Sequence, residues 1–222
     1  STKSLWYYLT VIAMAKKKNM KVMLYSNGIG PLERKGNIKK TKKILDKVDL
    51  ITLRDERSYK TLHEIGIENK NVKVTADPAL DLDIADEKLG KAILKNEGVP
   101  SDKKLLGVSV RKWQNLGSDF ETQIANACDY AYEKYGYYTV FLPMQSSRDT
   151  AIMQNIKRKM KHESAIIKKR YSVEGMLSII KCFDMCIGMR LHTLIYAAIN
   201  SVPLIGLVYD PKINSFMEYT HQ

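Results

Sequence analysis

Short apolar segments that alternate with helical segments are the feature that most constrains the fold of this chain. Strands of the buried type are predicted at 105–110, 138–142, 165–167, 185–187 and 203–208. The segments between them have the length and pattern of helices of about 10–15 residues, and this alternation favours a parallel sheet with helices on both faces. The second half of the chain is therefore predicted to belong to the α/β class.

A shorter series of the same kind occupies the first third of the chain. Strands are predicted at 20–25, 50–53 and 72–75, and helices at 4–18, 37–48 and 55–65. The charged segment 81–100 contains Gly98 and Pro100 and is typical of a boundary between two lobes. We therefore predict two lobes, residues 1–83 and 84–222, each built on a parallel sheet.

The stretch 183–210 carries the strongest chemical signal. It is predicted to form a buried strand, a turn at Gly188, a helix of small residues and a second buried strand, with Arg190 and His192 where the helix begins. Ligands of open α/β sheets bind beyond the carboxyl ends of the strands, and the free N–H groups of a helix start favour an anion. Arginine adds a fork suited to carboxylate or phosphate, and histidine can carry a proton near neutral pH. The pattern also fits a turn glycine, a surface arginine and a histidine satisfied by packing.

Further candidate residues follow other predicted strands. Arg111 ends one buried strand, which directs its guanidinium towards the same edge of the sheet, and Gln145 and Asp149 follow the next strand along the chain. Asp210 follows the last strand and is read either as a helix cap or as a ligand. A surface position is the alternative for Arg111.

The loop 27–31 follows the first predicted strand and contains Asn27, Gly28, Gly30 and Pro31. Glycines at such a place let the backbone approach a ligand closely, and a proline stiffens the turn. Taken by itself, the loop is read as a simple connection from strand to helix.

The formal net charge of +12 implies attraction to an anionic partner. The lysines are spread over 39–47, 88–104 and 157–170 and do not form one stripe. No nucleic-acid module pattern is present, and the aromatic residues are not interleaved with the basic ones. An acidic polymer or a peripheral contact with an anionic membrane face is therefore favoured over nucleic acid. Solvated helix faces are the alternative explanation for most of this charge.

Cysteine and histidine usage argues against a disulfide scaffold and against a metal site. The three cysteines, Cys128, Cys182 and Cys186, are an odd number, which fits a reducing compartment and core positions. No cluster with metal-ligand spacing occurs, so neither a metal nor a cofactor is expected. Among the four histidines, His192 alone has further candidate residues around it.

No apolar run approaches the roughly 20 residues of a membrane span. The segment 5–15 is apolar, but it is short and three lysines follow it, whereas a signal peptide carries its positive charge before the apolar run. A buried or half-buried helix and a cytoplasmic location are the expectations.

Several short motifs occur in the order found in a known family. They are Asn27-Gly28-Ile29-Gly30-Pro31, Leu53-Arg54-Asp55-Glu56-Arg57-Ser58, Ala76-Asp77-Pro78-Ala79, Gly107-Val108-Ser109-Val110-Arg111, Gly188-Met189-Arg190-Leu191-His192, Val202-Pro203-Leu204-Ile205 and Tyr209-Asp210-Pro211-Lys212. With this ordered set, which spans most of the chain, the sequence resembles the polysaccharide pyruvyl transferase family. The likeness is greatest to its bacterial cell-wall branch.

The resemblance implies an α/β fold of two Rossmann-like lobes with parallel sheets, similar to the glycosyltransferase-B arrangement. Members of the family normally have an earlier glycine-rich region and continue beyond the equivalent of Tyr219, so the chain is expected to be a fragment trimmed at both ends. Its first lobe, on the acceptor side, would then be incomplete. The second lobe is expected to hold the donor.

The resemblance also implies transfer of a pyruvyl ketal group from phosphoenolpyruvate, as co-substrate, to an N-acetylhexosamine of a cell-wall polysaccharide precursor on a lipid carrier. Arg190 and His192 are the implied catalytic residues, with His192 either the proton donor or a phosphate ligand. Implied substrate contacts come from Arg111, Arg190, Leu191, His192, Asn27, Gly28 and Gly30. Gln145 is added to this set because of its place after a predicted strand. Such an enzyme would work in the cytoplasm, at or near the inner face of the cell membrane.

Two other functions remain open. A glycosyltransferase of the same two-lobe fold would use Arg190 and His192 to hold the diphosphate of a nucleotide sugar. A non-catalytic module would instead bind an anionic wall polymer through its basic surface.

Overall fold

The computed structural model describes residues 2–113 and 116–220. The chain divides into two compact units, Ser1–Pro78 and Ala79–Gln222, and each is described by itself. The sequence placed the division after residue 83, whereas the structural division falls five residues earlier (83 − 78). The difference arises because Ala79, Leu80 and Leu82 pack against the hydrophobic core of the second unit.

The first unit is a three-stranded parallel sheet with the strand order β1-β2-β3. Its elements are α1 (Thr2–Lys17), β1 (Met23–Asn27), α2 (Lys35–Leu45), β2 (Leu50–Leu53), α3 (Glu56–Glu64) and β3 (Val72–Val74). The first strand was predicted to begin at residue 20 and begins instead at Met23. Val22 is outside the strand because its amide donates to the carboxylate of Asp49 at 2.8 Å.

Helix α1 of the first unit has one face on the core and one apolar face exposed. Leu9 is buried, whereas Tyr7, Tyr8 and Met14 are exposed. The sequence therefore correctly predicted a half-buried helix.

At α3, Asp55 caps the helix start by accepting a 2.7 Å hydrogen bond from the Ser58 amide, as expected for aspartate at that position.

The second unit is a five-stranded parallel sheet with the strand order β6-β5-β4-β7-β8. A 3-10 turn, Pro78–Asp81, leads into it. Its elements are α4 (Glu87–Asn96), β4 (Lys104–Ser109), α5 (Phe120–Tyr135), β5 (Tyr137–Phe141), α6 (Ser146–Lys159), β6 (Ser164–Ile166), α7 (Val173–Lys181), β7 (Met185–Gly188), α8 (Leu191–Ile199), β8 (Leu204–Gly206) and α9 (Pro211–Tyr219). The two predicted series of alternating strands and helices are confirmed.

Helices cover both faces of the five-stranded sheet. Helices α5 and α6 contribute to the core on one face, and α4, α7, α8 and α9 to the core on the other. Buried central strands of this kind read as continuous apolar runs, which is why β4 is recognisable in the sequence. Gly107 in β4 allows Phe183 to pack against the strand, because a Cβ there would lie 2.1 Å from the phenylalanine ring.

All three cysteines are free, and none is an activated thiol. Cys128 and Cys186 lie in the cores, where burial raises the pKa of Cys186 to about 12. Burial also raises the pKa of the half-buried Cys182 to about 11. These findings confirm the prediction of core cysteines for two of the three positions.

The described residues contain neither a membrane-spanning helix nor a metal-binding cluster. Within 2–113 and 116–220, no helix is both long and apolar enough to cross a membrane. In the same ranges, no group of three or more His, Cys, Asp or Glu side chains is arranged to hold a metal ion.

Candidate functional site

The carboxyl ends of the central strands in the second unit form the candidate site. Strand β4 lies between β5 and β7, with Val108 opposite Phe141 and Ser109 opposite Gly188. The residues that follow these strand ends are Arg111, Gln145, Arg190 and His192. The register therefore places these four predicted site residues at one edge of one sheet, although more than 75 positions separate Arg111 from Arg190 in the sequence (190 − 111 = 79).

The guanidinium of Arg190 is held by a buried carboxylate. Its Nε donates to Asp149 Oδ2 at 3.1 Å and its Nη2 donates to Asp149 Oδ1 at 2.5 Å, while Nη2 also reaches Gln145 Oε1 at 3.3 Å. The Asp149 side chain is 0% exposed and that of Arg190 is 16% exposed. Asp149 also accepts the Gln145 amide at 2.9 Å, which ties the start of α6 to the arginine. Only Nη1 of Arg190 has no partner within the described residues.

The guanidinium of Arg111 has no carboxylate partner within the described residues. Its Nη1 donates to the Tyr209 hydroxyl at 3.4 Å, and its Cζ lies 5.0 Å from the centroid of the Trp113 ring. Trp113 and Tyr209 pack edge to face against each other, with centroids 4.7 Å apart. Nε of Arg111 is buried and has no hydrogen-bond partner among residues 2–113 and 116–220. In the described part of the second unit, the Arg111 guanidinium therefore contacts a hydroxyl and two aromatic rings but no carboxylate.

Helix α8 begins at this edge without a side-chain cap. Arg190 occupies the N-cap position but makes no capping hydrogen bond, so the first amides of the helix remain available to a ligand. His192 is exposed, and its ring centroid lies 6.1 Å from that of Tyr196.

Gly188 ends β7 and is not part of a turn, contrary to the sequence prediction. Its lack of a Cβ lets Leu194 of α8 approach, since a Cβ would lie 2.8 Å from that side chain.

The chain matches the family model described as polysaccharide pyruvyl transferase over residues 1–211 of the 222. The chain belongs to the polysaccharide pyruvyl transferase family. The suspected family is thereby confirmed, and its members are transferases. Comparison with curated protein sequences gives no match.

Solved structures similar to this polysaccharide pyruvyl transferase family member include MnaA from S. aureus with UDP, at a TM-score of 0.64 and 13% identity. Others are HepE from Anabaena with UDP and glucose, at 0.62 and 9%, and UDP-GlcNAc 2-epimerase from Neisseria meningitidis with UDP-GlcNAc, at 0.61 and 12%. Each match covers 93% of this chain and 62%, 57% and 58% of those chains, respectively. The chain therefore spans less than two thirds of these neighbours, and the similarity confirms the α/β fold of the glycosyltransferase-B type.

The remaining predicted site residues of this family member lie in two places. Leu191 is buried in the core of the second unit, so only its backbone at the start of α8 can meet a ligand. Asn27, Gly28 and Gly30 lie in the first unit, where they line a mainly apolar cavity of about 550 Å³. A Cβ at Gly28 would lie 2.6 Å from the guanidinium of Arg54, so this glycine makes room for a side chain of its own unit.

Three neighbours of the site arginines have roles that the sequence did not assign. Trp113 and Tyr209 pack around Arg111, and Asp149 holds Arg190. The position of Asp149 after a strand end makes it a candidate in the sequence. Nothing in the sequence, however, marks it as the partner of Arg190, which is 41 positions away. Asp210 is a helix cap, since it accepts the Lys212 amide at 3.0 Å.

Proposed function

We propose that this chain is part of an enzyme that transfers a pyruvyl group from phosphoenolpyruvate to a sugar diol, forming a ketal. The supporting observation is Arg111, a partly buried cation without a carboxylate partner in the described residues, at the strand edge where α8 begins uncapped. A cation left in this state is suited to an anionic ligand, because charge-assisted hydrogen bonds are strong where water is excluded. Family membership favours phosphoenolpyruvate as that ligand.

The charges of phosphoenolpyruvate match the donors at this edge. The molecule carries a phosphate and a carboxylate, and the edge offers Arg111, the free Nη1 of Arg190 and the first amides of α8. The fork of Arg190 formed by Nε and Nη2 is occupied by Asp149. Arg190 therefore meets the donor through Nη1, and Asp149 fixes the direction of that contact.

The proposed reaction needs one proton donor near C3 of phosphoenolpyruvate. One sugar hydroxyl releases its proton and adds to C2 while C3 takes a proton. The bond from C2 to the phosphate oxygen then breaks, and the second hydroxyl gives its proton to the departing phosphate as it closes the ketal at C2. His192 is exposed at the start of α8 and has no hydrogen-bond partner in the described part of the chain, so it is placed to deliver this proton. A hydrogen bond from His192 to the phosphate is the second role consistent with its position.

The proposed acceptor is an N-acetylhexosamine of a cell-wall polysaccharide precursor on a lipid carrier. The net charge of +12 favours peripheral contact with an anionic membrane face, where such carriers reside, and a cytoplasmic enzyme could act there. Phosphoenolpyruvate is a co-substrate in this proposal, and no further cofactor is required.

A second candidate function is transfer of a glycosyl group from a nucleotide sugar. It is favoured by the neighbours MnaA and HepE, which were solved with UDP and share the fold. In that case Arg111 and Arg190 would contact a diphosphate, and phosphoenolpyruvate would not bind.

The test is a calorimetric titration of the chain with phosphoenolpyruvate. The wild type is expected to bind, and Arg111→Ala is expected to raise the dissociation constant at least about tenfold, the value of one charge-assisted hydrogen bond. Lys104→Ala is the matched control, because Lys104 is an exposed cation at the opposite end of the same strand. No binding to the wild type, or equal dissociation constants for both variants, would contradict the proposal.

A further inference from the structure

A cavity in the second unit lies beside the proposed donor site and has no assigned ligand. Its volume is about 480 Å³, within the range of small-molecule sites. It opens beyond the carboxyl ends of β5 and β6, and α7 and α8 contribute its walls. It therefore lies at the same edge of the sheet as Arg190 and His192.

Two lining residues connect the cavity to the donor site. Gln145 lines the cavity and accepts a 3.3 Å hydrogen bond from Arg190 Nη2. Tyr196 also lines it, and its ring lies 6.1 Å from the ring of His192. A molecule that presents its reacting hydroxyls beside His192 would thus extend into this cavity.

The rim of the cavity is cationic. Lys169 and Arg170 line it and are exposed, and no aspartate or glutamate is among its described lining residues. Lys168 precedes them but does not line the cavity. The rim therefore favours an anionic group.

The basic segment at the rim is held in place by Glu97. This carboxylate accepts the Lys168 amide at 2.8 Å, the Lys169 amide at 3.2 Å and the Tyr171 hydroxyl at 2.7 Å. Burial acts to raise the pKa of Glu97, but these hydrogen bonds outweigh it and hold the pKa below its usual value, so the side chain is ionised at neutral pH. Glu97 thus fixes the backbone of this basic segment at the rim of the cavity.

The cavity also has apolar and aromatic lining residues. Ile167 and Met176 line it together with Tyr171 and Tyr196. Aromatic faces suit the C–H surface of a pyranose ring, whereas the cationic rim suits phosphate. A sugar that carries a diphosphate at C1 combines both properties.

We propose that this cavity binds the sugar 1-diphosphate portion of the acceptor. The proposal rests on the proposed function and deepens it, because it assigns part of acceptor binding to the unit that holds the donor site. The sugar ring lies against the aromatic wall, with its diol facing the donor, and the diphosphate lies at Lys169 and Arg170. Nucleotide-linked and lipid-linked sugars share this chemistry.

The test is a calorimetric titration of the 222-residue chain, with phosphoenolpyruvate at saturation, using two probes. One is uridine diphosphate N-acetylglucosamine and the other is the farnesyl diphosphate ester of N-acetylglucosamine. Binding of either probe without displacement of phosphoenolpyruvate supports the cavity as the binding site of the acceptor. Tighter binding of the farnesyl ester identifies a lipid carrier as the source, and tighter binding of the uridine ester identifies a nucleotide.

Variants separate the cavity from general charge effects. Lys169→Ala is expected to weaken probe binding about tenfold and to leave phosphoenolpyruvate binding unchanged. Lys168→Ala is the matched control, one residue earlier and outside the cavity, and should change affinity less than twofold. Met176→Trp narrows the cavity without changing charge and should abolish probe binding alone.

Three outcomes overturn the inference. The probes fail to bind while phosphoenolpyruvate binds, or they compete with phosphoenolpyruvate, or the Lys168 and Lys169 variants lose equal affinity. A wild type that binds a probe but no phosphoenolpyruvate would overturn the proposed function, and with it the acceptor role of the cavity. The two failures are thus distinguishable.

Discussion

Two arginines that have the same predicted role lie in different electrostatic environments. Arg190 forms a two-bond ion pair with the buried Asp149, whereas Arg111 contacts aromatic rings and has no carboxylate partner in the described residues. Arg190 is therefore part of the folded structure as well as of the candidate site. The positive charge of Arg111 is therefore available to an anionic ligand.

Substituting Arg190 by lysine tests this double role. Arg190→Lys keeps the charge but loses the planar fork that satisfies both oxygens of Asp149. We expect the free energy of unfolding to fall by about 1–3 kcal/mol, because one buried carboxylate oxygen loses its partner. Urea denaturation measures this change, and a parallel titration should show weaker phosphoenolpyruvate binding. Unchanged stability would show that Asp149 is satisfied by other groups.

Substituting His192 by asparagine tests whether this residue donates the proton in the chemical step. His192→Asn keeps a hydrogen-bond donor but cannot deliver a proton near neutral pH. If His192 is the general acid, the turnover number should fall about 10²–10⁴-fold with little change in the dissociation constant of phosphoenolpyruvate. Steady-state kinetics on a catalytically active form of the protein measure the turnover number. A raised dissociation constant with normal turnover would instead identify His192 as a phosphate ligand.

At the scale of elements, close packing between helices depends on glycine at one position. In α4, a Cβ at Gly90 would lie 2.0 Å from the carbonyl oxygen of Ser178 and 2.7 Å from the sulfur of Cys182, both at α7. Backbone atoms cannot give way as side chains can, so the two helices can approach this closely only where the side chain is a hydrogen. Helix α7 also begins beside the proposed acceptor cavity.

Gly90→Ala should therefore separate α4 from α7. Overpacking of this kind costs about 1–3 kcal/mol, and we expect a lower thermal midpoint by circular dichroism. Gly36→Ala is the control, because Gly36 lies in α2 with no atom within 4 Å of a Cβ there. That variant should stabilise the protein by about 0.5–1 kcal/mol through helix propensity alone. Equal effects of both substitutions would contradict the packing argument.

At the scale of the whole molecule, the candidate functions differ in the ligand that stabilises the native state. A ligand that binds only the native state adds about 2.7 kcal/mol at a concentration one hundred times its dissociation constant. Phosphoenolpyruvate alone should raise the melting temperature if the chain is a pyruvyl transferase. A rise with uridine diphosphate glucose alone would favour a glycosyltransferase, and a rise with anionic wall polymer alone would favour a binding module.

The α/β class, the family and the residues at the strand ends could all be predicted from the sequence. This was possible because strand and helix patterns are local, and because Arg111, Gln145, Arg190 and His192 each directly follow a recognisable buried strand or lie at a helix start. Helix caps such as Asp55 could also be predicted from the sequence, because the capping hydrogen bond joins residues only three positions apart.

The partners of the site residues, in contrast, could not be predicted without the fold. Three contacts join residues that are far apart in the sequence. Arg190 pairs with Asp149 over 41 positions, Arg111 contacts Tyr209 over 98, and Glu97 accepts amides of the segment 168–170 over 71 and 72. Such contacts follow from the order of strands in the sheet, which depends on how helices pack on its two faces. No local pattern encodes that order, and so the charge balance of each arginine became visible only in the fold.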